Sequence, residues 1–428
     1  MSGASVPQAA PAAPPAPIGA AEASARILDA IPRMSVESIP LTMAGEHVLA
    51  ESVRAPVNLP PWRTSSMDGY AVHAADLSEL PARLRVVGDV PAGAPPAPPL
   101  ERGTAIRVMT GAPVPDRADT VVRIEDTDRG METVTIRDAR DAGRNVRPLG
   151  EDYTIDTVLA EAGDLVTPAL MGVLASAGTA TVCVHRRPSV CVVASGDELV
   201  MLDQFDKVKR AERIVSSNSY TLPALVREAG GVPRDMGIVH DDPAALRERI
   251  ESSRACDLLI TTGGISVGER DYTRSVLASL GAEQRFWRVR IRPGGPLAFG
   301  MLDGRPWIGL SGNPVSAMVT FELYVRPAIR KMLGHSRLFR TPVPVTLDEP
   351  VTVSGDLTHF LRVILHADDA GVARARLTGT QSSGALRSMA LANALLIVPE
   401  GRARYEAGET LRALPLRRST LMTSAFPV

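Results

Sequence analysis

The spacing of apolar and polar positions changes several times along this chain. After Ala21-Glu22, the residues Ile27, Leu28 and Ile31 recur at helical spacing, and a second apolar segment follows over 35–53. Residues 22–53 therefore read as mostly helical, up to a proline-rich loop at 56–62. Short β-type runs follow at 84–87, 104–109, 120–124 and 133–136, separated by turn clusters such as 91–96. Helical spacing returns over 164–182, with Thr167-Pro168 as cap and first helical residue and Met171, Val173 and Leu174 as apolar positions. A β-rich module is thus inserted between two mostly helical pieces.

From Pro188 the pattern alternates. Strands at 190–194, 236–239 and 258–262 are interleaved with helices at 220–229, 243–252 and 272–280. That alternation predicts an open α/β sheet with crossover helices, whose ligands sit at the carboxyl ends of the strands. After a helix over 315–332, the segment 341–416 is again β-rich. The fold class expected is multidomain α/β plus β. Its parts are a tail (1–19), a discontinuous linker domain (20–58 and 152–184), an inserted β-rich domain (59–151), an α/β domain (185–335), a C-terminal β domain (336–416) and a second tail (417–428). A chain of 428 residues can give several such domains a core each.

Composition narrows the function classes. With 45% hydrophobic and 22% charged residues the chain is ordinary for a soluble globular protein, and a net charge of -1 gives no electrostatic basis for nucleic-acid binding. No apolar run reaches the roughly 18–20 residues of a membrane span. Residues 1–18 are rich in Ala and Pro, carry no charge and lack the basic start of a signal peptide, so a disordered tail is expected. Cys183, Cys191 and Cys256 lie in apolar runs without metal spacing and read as reduced core cysteines of a cytosolic protein.

Several polar loops fall where the α/β pattern places ligands. In 257–273 a buried strand ends in Gly263-Gly264, a loop with Ser266, Gly268 and Glu269 follows, and Asp271 opens a helix. Paired glycines let backbone amides approach an anion, and Asp271 is either a cap or a metal-holding carboxylate. Ser195 and Glu198 fit a capping box, although adjacent carboxylates after a strand also suit Mg²⁺. Ser217-Asn218 precedes a helix, with Asn218 a plausible cap. Asp242-Pro243 is a cap and first-turn pair that leaves Asp241 over. Ser311-Gly312-Asn313-Pro314 could be a plain turn or an anion cradle. Arg288, Arg290 and Arg292 alternate with apolar residues, so strand spacing puts three guanidinium groups on one face, as an edge strand or an oxyanion site would. In the inserted module, Asp68-Gly69 could be a hairpin turn.

Taken together these strings resemble the MoeA/gephyrin family of molybdopterin molybdenumtransferases. The resemblance runs through SSMDGYAV (65–72), MTGAPVP (109–115), GEDY (150–153), SGDEL (195–199), SNSY (217–220), TTGGISVGERDYT (261–273), LSGNPVSA (310–317) and TGTQSSGALRS (378–388), and covers about 20 to 416. It implies a MogA-like molybdopterin-binding α/β domain, a barrel-like C-terminal β domain and a cytoplasmic homodimer whose site is shared between subunits. The implied reaction takes adenylylated molybdopterin and molybdate, cleaves the pyrophosphate, releases AMP and leaves molybdenum on the dithiolene sulfurs. The resemblance assigns Asp68, Thr110, Asp152, Glu198 and Asp271 to catalysis, and Glu198, Asp241 and Asp271 to Mg²⁺. Ser217, Asn218, Gly263, Gly264, Ser266, Gly268 and Ser311 through Pro314 would hold the pterin nucleotide, and Arg288, Arg292, Arg362 and Ser383 the molybdate. Family members often carry lysines where this chain has Arg288, Arg292 and Gly295, and an aromatic-Asp-Asn run where it has Trp62-Arg63-Thr64. The alternatives are molybdopterin adenylyltransfer, as in a MogA-like protein that could also be a partner, a peptide-binding scaffold, and a pterin-binding paralogue that inserts no metal.

Overall fold

The computed structural model describes residues 16–95, 97–265 and 272–416. Within it the chain forms two compact units, Ser38–Val184 and the combination of Met1–Glu37 with His185–Val428.

In the first unit five strands lie in the spatial order Thr120–Arg123, Gly69–Val72, Thr104–Val108, Ala82–Val90 and Thr133–Ile136. Both faces of the sheet are covered. Tyr70, Val72 and Val122 enter one apolar cluster while Ala71, Ile106 and Val121 enter another, as the period of two along a strand requires. Gly69 starts its strand because a Cβ there would stand 1.9 Å from the Val122 carbonyl oxygen, so Asp68-Gly69 is not a hairpin turn. In the same unit helix Pro168–Ser176 is capped by Thr167, whose side chain accepts from Leu170 N–H, as the sequence predicts.

Helix Ala20–Ala30, in the second unit, is shorter than its apolar pattern. Pro32 drives Ile31 to extended backbone (φ -79, ψ 119) and ends the helix. Residues 35–53, expected to be helical, instead hold the strand Val36–Pro40 and one 3₁₀ turn, Leu41–Met43.

The second unit contains the α/β domain: β1 (Ser189–Ser195), α1 (Asn218–Glu228), β2 (Val232–Val239), α2 (Pro243–Ser252), β3 (Leu258–Thr262), α3 (Tyr272–Ser279), β4 (Glu283–Trp287), β5 (Ala298–Leu302), β6 (Arg305–Leu310) and α4 (Pro314–Thr320). The sheet order is β2-β1-β3-β6-β5-β4. The first four strands are parallel, and β5 and β4 are antiparallel to their neighbours. Every residue of β3 is buried, which explains its unbroken apolar run. From β1 the chain crosses to β2 on one side and later to β3 on the other. The carboxyl ends of β1 and β3 therefore flank a topological switch point.

Beyond α4, five strands close a barrel: Thr358–Ala367, Ala373–Leu377, Val343–Leu347, Thr410–Pro415 and Ala394–Val398, the last pairing back with the first. Its interior is an apolar cluster that includes Val345, Val363, Leu396 and Ala413.

Two sequence expectations change here. The predicted arginine strand breaks at Arg288, whose φ of 76 turns the backbone out of β4. Val289 instead bridges to Ile18 of the N-terminal segment, and the strand resumes only at Ile291–Arg292. Cys191 and Cys256, expected to be reduced, are joined as a disulfide. The turn into β3 brings their Cα atoms to 5.8 Å, inside the usual disulfide range. Cys183 is free.

Candidate active site

A cleft of about 1020 Å³ opens at the switch point and extends toward the C-terminal barrel. Its first wall comes from the end of β1. Ser195 Oγ donates to Asp241 Oδ1 at 2.8 Å, and Asp197 accepts from the Asp241 N–H at 3.2 Å. The carboxylate left over by the Asp242 cap is thus fixed beside β1, while Asp242 accepts from Ala245 N–H at 2.7 Å. Ser195 and Glu198 form no capping box, because a short strand (Leu199–Val200) rather than a helix follows. Glu198 folds over Gly196, where an added Cβ would lie 2.7 Å from Glu198 Oε2. Among the described residues neither Glu198 nor Asp241 has a cationic partner.

The second wall is the turn leaving β3. Gly263 and Gly264 have φ of 89 and 63, the left-handed conformation that favours glycine. A Cβ at Gly263 would stand 2.3 Å from the Ser195 carbonyl oxygen, and one at Gly264 would stand 2.2 Å from Thr273 Oγ1. Only bare backbone fits between β1 and α3.

At the floor, Ser217 rather than Asn218 occupies the cap position of α1. Asn218 is the first helical residue, and its Nδ2 donates to Thr262 Oγ1 (2.8 Å) and to the Gly312 carbonyl (2.9 Å). This one side chain ties α1 to the ends of β3 and β6. Ser311, Gly312, Asn313 and Pro314 line the cleft as α4 begins.

The far end is basic. Arg292 and Ser383 line the cleft there, and Arg292 pairs in register with His359 on the barrel. Arg292 is exposed and has no ion pair among the described residues. A side chamber of about 370 Å³ continues past Arg292 to Ser354, His359, Arg362 and Gln381. Arg362 is fully buried, donating from Nε to Ser388 Oγ at 3.0 Å and from Nη2 to the Ser382 carbonyl at 2.8 Å. Its Nη1 has no protein partner among the described residues. Burial pushes this guanidinium down to about 10, so it stays charged at neutral pH without a carboxylate beside it. Burial also lowers the His359 imidazole, and the Arg292 charge adds to that effect.

The structure does not bring Arg288 to this cleft. Its guanidinium lies over Trp287, 4.9 Å from the ring centroid. Arg290 meets Glu400 at 3.4 Å. Of the three alternating arginines, Arg292 alone lines the cleft. Ser266, Gly268 and Asp271 lie outside the described residues.

Asp68, Thr110 and Asp152 belong to the other unit. Asp68 is exposed, and its Oδ1 accepts from Thr110 N–H (2.7 Å) and Thr110 Oγ1 (2.9 Å). The backbone bond first, and the hydroxyl second, hold its carboxyl below the ordinary value. Asp152 is an exposed turn residue whose N–H donates to the Leu59 carbonyl at 2.9 Å.

Sequence reading missed the Ser195–Asp241 bond, the burial of Arg362 and the place of His359 in the side chamber. The first was hidden by its fit to a local cap. His359 had no spacing signal, because it reaches the chamber only when the barrel closes. The chemical inventory is nonetheless plain: two hard carboxylates and a hydroxyl at one end, bare backbone along one wall, and cations at the other end. Oxygen donors of this kind suit Mg²⁺. Among the described residues no three His, Cys, Asp or Glu side chains come together, so a metal held by Glu198 and Asp241 would need further ligands from elsewhere.

Comparison with known proteins bears on this geometry. The MoeA N-terminal region (domain I and II) matches residues 18–178, a probable molybdopterin binding domain matches 191–331, and the MoeA C-terminal region (domain IV) matches 344–416. The molybdopterin molybdenumtransferase of Nostoc sp. is 36% identical over 403 residues, covering 91% of this chain and 92% of its own. The Haemophilus influenzae protein of the same name is 33% identical over 400 residues, covering 92% and 97%. A crystal structure of the molybdopterin biosynthesis MoeA protein from Pyrococcus horikoshii superposes with a TM-score of 0.80 at 28% identity, covering 94% of this chain and 100% of that one. No helix among the described residues is long and apolar enough to cross a membrane. With all three regions matched in order and relatives of this identity along nearly the whole chain, the protein belongs to the MoeA family of molybdopterin molybdenumtransferases.

Proposed function

We propose that this protein inserts molybdate into adenylylated molybdopterin and releases AMP. The observation that carries the reading is the separation of charge along one continuous cleft. Among the described residues, carboxylates without cations stand at the switch point, and arginines without carboxylates stand toward the barrel. Such an arrangement suits a substrate pair that needs both: a pyrophosphate with its metal at one end and a free oxyanion at the other.

The Gly264 N–H holds a phosphate oxygen, since Gly263 spends its own N–H on the Leu310 carbonyl at 3.1 Å and neither glycine puts a side chain between the turn and the cleft. Asn218 keeps that turn and the Ser311–Asn313 backbone in register. Glu198 and Asp241 would hold a magnesium ion, which supplies charge neutralisation at the pyrophosphate. Ser195 fixes the Asp241 carboxylate by donating to one of its oxygens. Arg292 and Ser383 hold molybdate, and the Arg362 charge raises the potential of the chamber behind them. Because Arg362 spends Nε and Nη2 on the 380–388 loop, it also sets where Ser383 stands. The pterin-nucleotide and molybdate are thereby brought together without a covalent enzyme intermediate, as proximity catalysis allows.

The proposal includes a homodimer in which Asp68 and Thr110 of a second copy act at the cleft, and a MogA-like adenylyltransferase as source of the adenylylated pterin. Support comes from the ordered, exposed Asp68 carboxylate, which makes no ion pair within its own unit. Mixing Asp68→Ala with Glu198→Gln subunits should then restore roughly a quarter of wild-type activity by random pairing.

The reading is tested by incubating the purified protein with adenylylated molybdopterin, Mg²⁺ and molybdate. AMP release with formation of molybdenum cofactor is expected. Pyrophosphate release from ATP and unmodified molybdopterin, with no AMP from the adenylylated form, would point to adenylyltransfer instead.

A further inference from the structure

We infer that Trp287 is a positioning residue that sets the glycine wall of the cleft. Its indole sits at the end of β4, 3% exposed and packed with Ile265, Val276 and Leu277. Nε1–H donates to the Ile265 carbonyl at 2.7 Å, immediately after Gly263-Gly264. The ring also carries the Arg274 guanidinium, 3.8 Å from its centroid. Arg274 lies in the first turn of α3, and its Nε is further tied to Gln284 Oε1 of β4 at 3.0 Å. One side chain therefore grips the backbone where it leaves β3 and the first turn of α3. Arg288, whose positive φ turns it out of the strand, stacks on the same ring and braces it.

The wall needs such a brace. Two consecutive left-handed glycines have no side chains of their own to fix them, and glycine loses more freedom on ordering than any other residue. The bonds at Gly263 fix only its start: its N–H donates to the Leu310 carbonyl at 3.1 Å, and its carbonyl accepts from Thr273 Oγ1 at a long 3.3 Å. Trp307 donates from Nε1 to Thr261 Oγ1 at 3.0 Å, but that anchors the strand before the glycines rather than the turn after them. Trp287 supplies the one bond to the Ile265 carbonyl that any described side chain makes. Without the indole N–H, that carbonyl has no partner among the described residues, and the Gly263–Ile265 backbone gains freedom. This explains why a buried tryptophan with both a hydrogen bond and a stacked cation stands behind the cleft instead of an aliphatic residue.

The functional consequence rests on the cleft being the pterin-nucleotide site; the positional claim does not. Trp287→Phe keeps a six-membered ring for Arg274 and removes the N–H donor together with the rest of the five-membered ring, at a side chain that is buried. In the full-length protein, amide hydrogen exchange at Gly263–Ile265 should rise about tenfold, the loss of one buried hydrogen bond, while exchange in β1 and β6 stays unchanged. Exchange equal to wild type at those residues overturns the inference, whatever the enzyme's activity. In turnover assays the KM for adenylylated molybdopterin should rise several-fold, with molybdate half-saturation unchanged. A merely structural loss would lower the active fraction and kcat and leave both concentrations untouched, and that outcome also counts against positioning. Trp62→Phe, at an exposed tryptophan in the other unit, should alter neither readout. If wild type releases no AMP, the proposed function falls, yet the exchange result still decides the role of Trp287.

Discussion

Charged side chains are treated in opposite ways in the inserted β module and in the α/β cleft. In the module Asp141 takes three bonds from Arg123, to its N–H (3.1 Å), Nε (2.9 Å) and Nη2 (2.8 Å), and Asp126 meets Arg140 at 2.6 Å. There every buried carboxylate faces a guanidinium across a short loop. In the cleft, among the described residues, Glu198 and Asp241 have no such partner, and Arg292 and Arg362 have no carboxylate. Paired charges satisfy one another and hold the fold. Separated charges leave capacity for a ligand, at the cost of self-repulsion and desolvation. The contrast predicts that neutralising the first kind weakens the protein and neutralising the second kind weakens only what it binds.

The largest effect should follow Asp141→Asn. Losing the charge-assisted bonds to a partly exposed Arg123 should cost about 2–3 kcal/mol, measured by urea unfolding. The Arg123 side chain holds the Asp141 carboxyl down to about 2. A depressed carboxylate stabilises the fold above its ordinary value near 4 and loses that contribution as pH falls toward about 2. Wild type should therefore lose stability across that window, and Asp141→Asn should lose less.

Glu198→Gln should behave in the opposite way. Unfolding should change by no more than about 0.5 kcal/mol, the range of substitutions at exposed positions. AMP release should fall on the order of tenfold to a hundredfold at fixed Mg²⁺, as for a lost charge-assisted contact. A stability loss equal to that of Asp141→Asn would erase the distinction between the two regions.

A smaller effect concerns Asp68, where a threonine rather than an arginine fixes the carboxylate. Thr110→Ala removes the hydroxyl bond and leaves the backbone bond. The Asp68 pKa should rise toward the ordinary carboxylate value, read by carbon NMR titration, and the acid limb of AMP release should move up in pH with it. An unmoved titration would mean that the Thr110 N–H alone holds the charge.

Much of this site was legible in the sequence because its parts are local. A strand followed by Gly263-Gly264, an Asp242-Pro243 pair that leaves Asp241 over, and Ser311 through Pro314 each signal a turn whose backbone is available. What was not legible depends on distant packing. Arg288 reads as a strand residue until Ile18 N–H takes its carbonyl and a positive φ turns it onto Trp287. Asn218 reads as a cap, yet it spends its amide on Thr262 and Gly312, 44 and 94 residues away. Residues 35–53 carry enough apolar positions for a helix, but Pro32 and Pro40 interrupt it. Arg362 gave no sign of being buried, because the barrel that encloses it is closed by pairing between strands far apart in sequence.

The most direct test compares two half-saturations in two variants that keep the fold. Arg292→Ala should raise the molybdate half-saturation about ten- to a hundredfold and leave the Mg²⁺ requirement of AMP release unchanged, since the cation removed stands at the barrel end of the cleft, where the basic chamber begins. Glu198→Gln should raise the Mg²⁺ requirement and leave molybdate half-saturation alone. Such a double dissociation is what separated charge along one cleft predicts. If both variants shifted both half-saturations equally, or if Arg292→Ala left molybdate dependence unchanged, the two ends would not be distinct sites and the account would be contradicted.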